Sequence, residues 1–349
     1  MADIWHILKR GLTANALSPE QLRQLIEWER ADARRAIAWG ITEQTAEEAI
    51  ALRFSWLRRV TTILSCLPLP STRLAVILPH LWQLWLPLAL QLKQAHGQLG
   101  RPLIQGILGG QGIGKTTLCQ ILHILLAEMG LQAVSISIDD IYKTYAERQR
   151  LRQVDPRLIW RGPPGTHDIE LGQQTLIQLR EAGPDCSVAI PRFDKSLCGG
   201  EGDRVEPERV KNIDVVLFEG WFVGVHPIDA AAFECPPPPI DTEADREFAL
   251  AINQQLHSYQ PLWALLDRLM ALYPWDYRLS QQWRRQAEHA MKATGKSGMD
   301  DASIDQFVRY FWQAIHPELF LPALIKDSEK TDLVVEIQAN RSLGSVYCP

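Results

Sequence analysis

Gly109-Gly110-Gln111-Gly112-Ile113-Gly114-Lys115-Thr116 follows an apolar run over residues 103–108 and precedes Leu118, Leu122, Leu125 and Leu126, which fall on one face of a helix. This is a complete G-x-x-x-x-G-K-[ST] pattern in a strand–loop–helix setting. The glycines let the backbone wrap closely enough for successive N–H groups to face phosphate oxygens, and the helix that starts there adds the positive end of its dipole. Lys115 is placed to reach the β- and γ-phosphates of a nucleoside triphosphate, with the Thr116 hydroxyl on Mg²⁺ and Thr117 beside it on the first turn. A dinucleotide-binding fold is excluded, because a G-x-G-x-x-G read from Gly110 needs a small residue where Lys115 stands.

Two further apolar runs end in acids. Val134-Ser135-Ile136-Ser137-Ile138 leads into Asp139-Asp140-Ile141-Tyr142, and Val215-Val216-Leu217-Phe218 leads into Glu219-Gly220-Trp221. Ligands of open α/β sheets bind beyond the carboxyl ends of the strands. Asp139 is therefore the candidate general base for an acceptor hydroxyl, against the alternative that it caps the next helix. Asp140 stands as a supporting residue, a contact to magnesium-bound water, or a cap. Glu219 takes the place of a Walker-B acid, on the magnesium side of the phosphates. Asp214, at the other end of its strand, faces away from that crevice.

Outward from this centre the chain divides. Residues 1–99 are expected to be a helical extension. Ser18-Pro19-Glu20-Gln21 reads as a capping box with proline at the first helical position, a second helix is expected over 42–64, and Leu67-Pro68-Leu69-Pro70-Ser71 is a break. Residues 74–92 are apolar for about the length that spans a bilayer. Pro79, His80, Gln83, Pro87 and Gln91 interrupt them, so a helix buried against the protein is expected rather than a membrane span. Residues 100–349 alternate short apolar runs with amphipathic segments, the pattern of a three-layer α/β fold around a parallel sheet. The expected strands are 103–108, 133–138, 188–190, 215–218, 269–272 and 333–337, with loops at 161–166, 198–204 and 236–239.

A net charge of -5 and a pI near 6.0 speak against a nucleic-acid partner. The six cysteines form no C-x-x-C pair, as expected of reduced thiols in a cytosol-like compartment. Residues 1–6 have no basic region leading into an apolar one, so no secretory signal is expected.

Several segments together resemble the D-glycerate 3-kinases, within the wider P-loop kinase group that includes phosphoribulokinase, uridine kinase and pantothenate kinase. They are Ser137-Ile138-Asp139-Asp140-Ile141-Tyr142 with Ala146-Glu147-Arg148-Gln149-Arg150, Arg161-Gly162-Pro163-Pro164-Gly165-Thr166-His167-Asp168, and Pro191-Arg192-Phe193-Asp194-Lys195. Phe218-Glu219-Gly220-Trp221-Phe222-Val223-Gly224, Trp283-Arg284-Arg285-Gln286-Ala287-Glu288 and Gly298-Met299 add to them. The likeness runs from about residue 74 to 337. The chain departs from it by an insertion over 196–202 ahead of Arg204.

The resemblance implies phosphoryl transfer from Mg-ATP to the 3-hydroxyl of D-glycerate, a small hydroxy acid. Arg192 and Lys195 would offer a fork and a point charge to a carboxylate or phosphate, against the alternative of surface salt bridges. Thr166 and His167 would orient hydroxyls, unless the histidine only shapes its loop, and Asp140 and Tyr142 would line the same site. Arg284 and Arg285 would form a lid over the phosphates or an ordinary solvated helix face. The alternatives are a kinase of the same group acting on a nucleoside, pantothenate or a sugar phosphate, and a non-catalytic nucleotide switch. Intact Lys115, Asp139 and Glu219 weigh against the switch.

Overall fold

The computed structural model describes residues 3–65, 74–183, 185–293 and 298–349. Its strands are β1 (Leu103–Gly109), β2 (Ala133–Ser137), β3 (Val188–Asp194), β4 (Asp203–Val210), β5 (Val215–Gly220), β6 (Arg268–Pro274), β7 (Leu333–Ile337) and β8 (Leu343–Tyr347). Six of them form one sheet in the order β2-β5-β1-β6-β7-β8, parallel except for β8, which runs antiparallel to β7 at the edge. All seven residues of β1 are buried, as a strand covered on both faces requires.

The alternation of side chains across the sheet sorts the core into two clusters. Leu103, Ile107, Val215, Leu217, Met270 and Leu272 point to one face, and Ile104, Leu108, Val216, Phe218 and Ala271 to the other. The first face is covered by the helix Lys115–Glu128 together with the N-terminal helices, whose Leu8, Leu25, Ile50, Leu57, Trp82 and Leu92 belong to the same apolar cluster. The N-terminal segment thus forms part of an outer layer of the α/β fold, packed on the sheet through one continuous core.

Local signals behave as their chemistry dictates. Ser18 and Gln21 close a reciprocal capping box (2.9 and 3.2 Å) at the start of the helix Pro19–Ala31. The next long helix is Ala46–Ser65, four residues later than expected at its start, because Thr42 and Thr45 spend their hydroxyls on the preceding turn. The expected Pro-rich break lies outside the described residues. The apolar stretch after it forms Leu74–His80, a π-helical turn Leu81–Trp85 and the helix Leu86–Leu99, with Leu81, Trp82, Leu84, Leu86, Leu88 and Ala89 buried in the protein core. Among the described residues no helix is long and apolar enough to cross a membrane.

Three expectations need correction. Residues 188–190 are not part of the parallel sheet; they begin β3, which pairs antiparallel with β4 in a separate ribbon. Polar Arg192 and Asp194 continue that strand into a half-exposed setting that a central parallel strand does not offer. β4 itself replaces part of an expected loop, its mostly charged sequence DRVEPERV suiting an exposed ribbon. β8 was not expected at all, being a short edge strand with one buried residue.

One buried charge cluster ties the N-terminal layer together. Glu29 is fully buried and takes the guanidinium groups of Arg35, at 3.3 Å, and Arg53, which also donates to the Trp82 carbonyl at 3.2 Å. Burial pulls Arg53 below its ordinary pKa despite the opposing pull of Glu29. Glu29→Ala strands the buried Arg53, while Arg35 keeps Asp32 at 3.0 Å, and is expected to cost about 3–5 kcal/mol, read as a lower urea midpoint. An unchanged midpoint would show the cluster to be dispensable.

Candidate active site

β1 ends directly in the glycine loop, and the helix Lys115–Glu128 leads away from it. Gly112 and Gly114 have φ of 72° and 109°, where side chains are strained. A Cβ on Gly112 would also stand 2.7 Å from the Trp283 Cβ, whereas one on Gly114 would meet nothing. The loop is therefore backed by Trp283 of the helix Leu279–Ala293 and open above Gly114. Buried Ile113 pins the loop to the core, while Thr116 and Thr117 are exposed on the first helical turn. Lys115 Nζ donates to the carbonyls of Gly109 (2.7 Å) and Gly110 (3.2 Å) and stands 3.8 Å from Glu219 Oε2. β5 sits beside β1 with Ile107 opposite Glu219, which is how the acid comes to face this lysine. Gln111 Oε1 is buried in the loop without a hydrogen-bond partner.

On the other side of the crevice, β2 ends in a 3-10 turn, Ile138–Ile141. The two neighbouring aspartates separate there. Asp140 accepts from the Ser137 amide (2.9 Å) and from Arg192 Nη1 (3.0 Å), and so closes its own turn; burial raises its pKa. Asp139 instead meets Lys195 Nζ at 2.5 Å and takes a hydrogen bond from the Tyr142 hydroxyl. Burial pushes the Asp139 carboxyl up, but Lys195 and then Tyr142 outweigh it and hold it below its ordinary value. Tyr142 is buried and kept protonated by that burial, so it is the donor in the pair.

The loop after Arg161 supplies the third wall. The Thr166 hydroxyl is used within the loop, donating to Pro163 O (2.7 Å) and accepting from Gly162 N (3.1 Å). His167 stacks on Tyr142 with ring centres 4.6 Å apart. Arg192 presents no free fork: its Nε and Nη2 hold Glu208 (2.9 and 2.6 Å), and its Nη1 holds Asp140 and the Ser135 carbonyl. Arg284 pairs with Glu288 at 3.1 Å on its own helix, one residue from the tryptophan that backs the loop. The structure thus brings Lys115 and Glu219 together, and Asp139, Tyr142, His167 and Lys195 together, while Thr166 and Arg192 are engaged by the protein itself.

No family model matches the chain. It is 35% identical over 220 residues to the uncharacterized kinase mug58 of Schizosaccharomyces pombe, covering 61% of this chain and 79% of that one. It is 31% identical over 253 residues to the chloroplastic D-glycerate 3-kinase of Arabidopsis thaliana, covering 69% of this chain and 54% of that one. Among solved structures, D-glycerate 3-kinase from Cryptococcus neoformans superposes with a TM-score of 0.67 at 30% identity, covering 75% of this chain and 96% of that one. The chain belongs to this family of P-loop kinases.

Two residues of the kinase site escaped the sequence reading. Tyr259, fully buried, accepts from the Gly165 amide (2.9 Å) and lies 2.8 Å from His167 Nδ1. Because the Gly165 amide can only donate, Nδ1 is the one acceptor beside the Tyr259 hydroxyl hydrogen among the described residues, and a neutral imidazole accepting there carries its proton on Nε2. That Nε2 is buried and has no partner among the described residues. Arg161, quoted for its motif but given no role, donates to the Gly200 carbonyl (2.8 Å) and lies over the Phe193 ring beside Tyr142. Ninety-two residues separate His167 from Tyr259, and no local pattern marks the pair.

Tyr259→Phe leaves the Gly165 amide and His167 Nδ1 unpaired and is expected to cost about 1–3 kcal/mol of stability. Imidazole ¹⁵N spectra should show His167 losing its fixed Nε2–H form; an unchanged spectrum would refute the assignment. Burial drives the His167 pKa down to about 3, whereas an unfolded histidine titrates near 6.5. The unfolded state therefore binds more protons between those values, and His167 makes the fold less stable as pH falls from about 6.5 toward 3.

Proposed function

We propose that this ATP-dependent kinase phosphorylates the 3-hydroxyl of D-glycerate, giving 3-phosphoglycerate and ADP. The observation that carries the reading is the exposed cation of Lys195 seated on Asp139, which puts an anchor for a small carboxylate next to the group that takes the acceptor's proton. The names of the Arabidopsis and Cryptococcus relatives support the same acceptor. With Arg192 engaged by Glu208 and Asp140, the anchoring role moves from Arg192 to Lys195.

In this mechanism the glycine-loop amides and Lys115 hold the triphosphate, with Lys115 leaving its two carbonyl partners for phosphate oxygens. Asp139 accepts the proton of the 3-hydroxyl as its oxygen bonds to the γ-phosphorus, and the bridging oxygen leaves on ADP. Tyr142 keeps Asp139 aimed, and the buried His167, stacked on Tyr142 with ring centres 4.6 Å apart, holds that tyrosine in place. Thr116, one residue after the lysine that meets Glu219, and Glu219 itself would hold Mg²⁺, a small ligand set typical of a cation that keeps its waters and binds phosphate oxygens. Bound there, it would neutralise charge on the transferring group. Most of the acceleration then comes from positioning and charge neutralisation.

The test is ADP release measured across D-glycerate, L-glycerate, glycerol, uridine, pantothenate and ribulose 5-phosphate. D-glycerate should lead, with glycerol far behind because it lacks the charge. Equal turnover of glycerate and glycerol, or a preference for uridine or pantothenate, would overturn the glycerate reading and leave the kinase assignment intact.

A further inference from the structure

The base proposed for phosphoryl transfer is not free. Lys195 Nζ rests 2.5 Å from Asp139 Oδ2, nearer than the 3.0 Å contact of the neighbouring Asp140 with Arg192. The two partners differ in setting: the Lys195 side chain is 60% exposed, that of Asp139 only 25%. Lys195 begins the turn between β3 and β4, and Asp194 braces the turn by accepting from the Ser196 amide (2.8 Å) and hydroxyl (2.6 Å). The backbone under Lys195 is therefore anchored, while its four-carbon stem remains free to swing in solvent. Asp139 is held in place without it, through the Tyr142 hydroxyl.

We propose that Lys195 is an acceptor-operated mask: it covers Asp139 while the acceptor site is empty, and the carboxylate of the incoming hydroxy acid draws it away, freeing the base only when a charged acceptor is seated. The proposal rests on the hydroxy-acid reading of the site. Its physical basis is an exchange of like for like. The ammonium leaves one carboxylate for another of equal charge a short distance away, so the swap involves no net loss of ion pairing. A neutral alcohol such as glycerol offers nothing in exchange and meets a covered base. Lys195 then sets specificity twice, by holding the acid and by withholding Asp139 from everything else. Water is among the excluded nucleophiles. With Asp139 covered, a water near the γ-phosphate has no proton acceptor, and ATP is spared. With Asp139 free, the water oxygen bonds to phosphorus, its proton passes to Asp139, and the bridging oxygen departs on ADP with inorganic phosphate as co-product.

The experiment measures ADP and inorganic phosphate released without a phosphorylatable acceptor. D-lactate is D-glycerate without its 3-hydroxyl, so it supplies the carboxylate and cannot be phosphorylated at that carbon. In the wild-type protein, D-lactate should raise ATP hydrolysis roughly tenfold, a part of the 10²–10⁴ that a positioned base contributes. Lys195→Met should hydrolyse ATP at that raised rate with or without D-lactate, and should lose most of its preference for D-glycerate over glycerol. If neither D-lactate nor the substitution changes hydrolysis while wild-type protein phosphorylates D-glycerate, Lys195 is an anchor alone and the mask is overturned. If Lys195→Met raises hydrolysis but D-lactate and D-glycerate have no effect on the wild type, the mask stands and the hydroxy-acid reading falls.

Discussion

Asp139→Asn is expected to lower kcat by roughly 10²–10⁴ while leaving the ATP KM near its wild-type value. The amide keeps the shape of the side chain and can still take the Tyr142 hydrogen bond, but it cannot accept the acceptor's proton. Asp140→Asn should behave differently, because Asp140 accepts from the Ser137 amide and Arg192 within its own turn. Its loss should show in unfolding before it shows in turnover. Should Asp140→Asn prove crippling and Asp139→Asn benign, the two roles must be exchanged. The pH profile adds a second check. Lys195 and Tyr142 hold Asp139 below its ordinary pKa, so in the free enzyme it stays ionised until the pH falls beneath the usual aspartate value. The acid limb of kcat/KM due to this group should then lie below about 3.9. A limb near neutrality cannot come from His167 either, whose pKa is driven to about 3 by burial.

The sheet and the phosphate loop were legible because their signals are local. A strand buried on both faces must be apolar throughout, as Leu103 to Leu108 nearly is, and a loop that wraps phosphate must place glycines where φ is positive, as at Gly112 and Gly114. Asp139 and Glu219 were legible as strand-end acids, since parallel strands put their carboxyl ends in one crevice. What could not be read is who holds whom across the chain. Arg192 carries the fork that suits a substrate carboxylate, and only the β3–β4 ribbon shows Glu208 facing that fork from the next strand. The ribbon was itself obscured, because Asp203–Val210 is too charged to read as a strand until its exposure is known. Tyr259 was missed for the same reason: a buried hydroxyl that fixes a histidine tautomer looks, in sequence, like any other core aromatic.

Lys115→Ala is expected to reduce turnover by at least about 10²–10³, the range seen when a group stabilising transition-state charge is removed. The fold should survive. The bonds lost are to the Gly109 and Gly110 carbonyls at the rim of the crevice, and the helix from Lys115 to Glu128 is held by Leu118, Leu122, Leu125 and Leu126 in the core. ATP binding should weaken beyond the loss of one cation. Glu219, now 3.8 Å from the lysine, would face the phosphates with one positive charge fewer between them. This second effect separates the two halves of the site: Glu219→Gln removes the repulsion but also, in our reading, a magnesium-side ligand. That substitution should raise the magnesium concentration needed for half-maximal rate while sparing acceptor KM. Combining Lys115→Ala with Glu219→Gln should restore part of the ATP affinity without restoring turnover, because neutralising an acid does not return the charge that stabilises the transferring group. Titration of ATP into the three variants, alongside kcat and thermal unfolding, decides the matter. Near-native turnover in Lys115→Ala would remove the phosphate-binding role from this loop, and a double variant binding ATP no better than the single one would show that Glu219 does not face the phosphates.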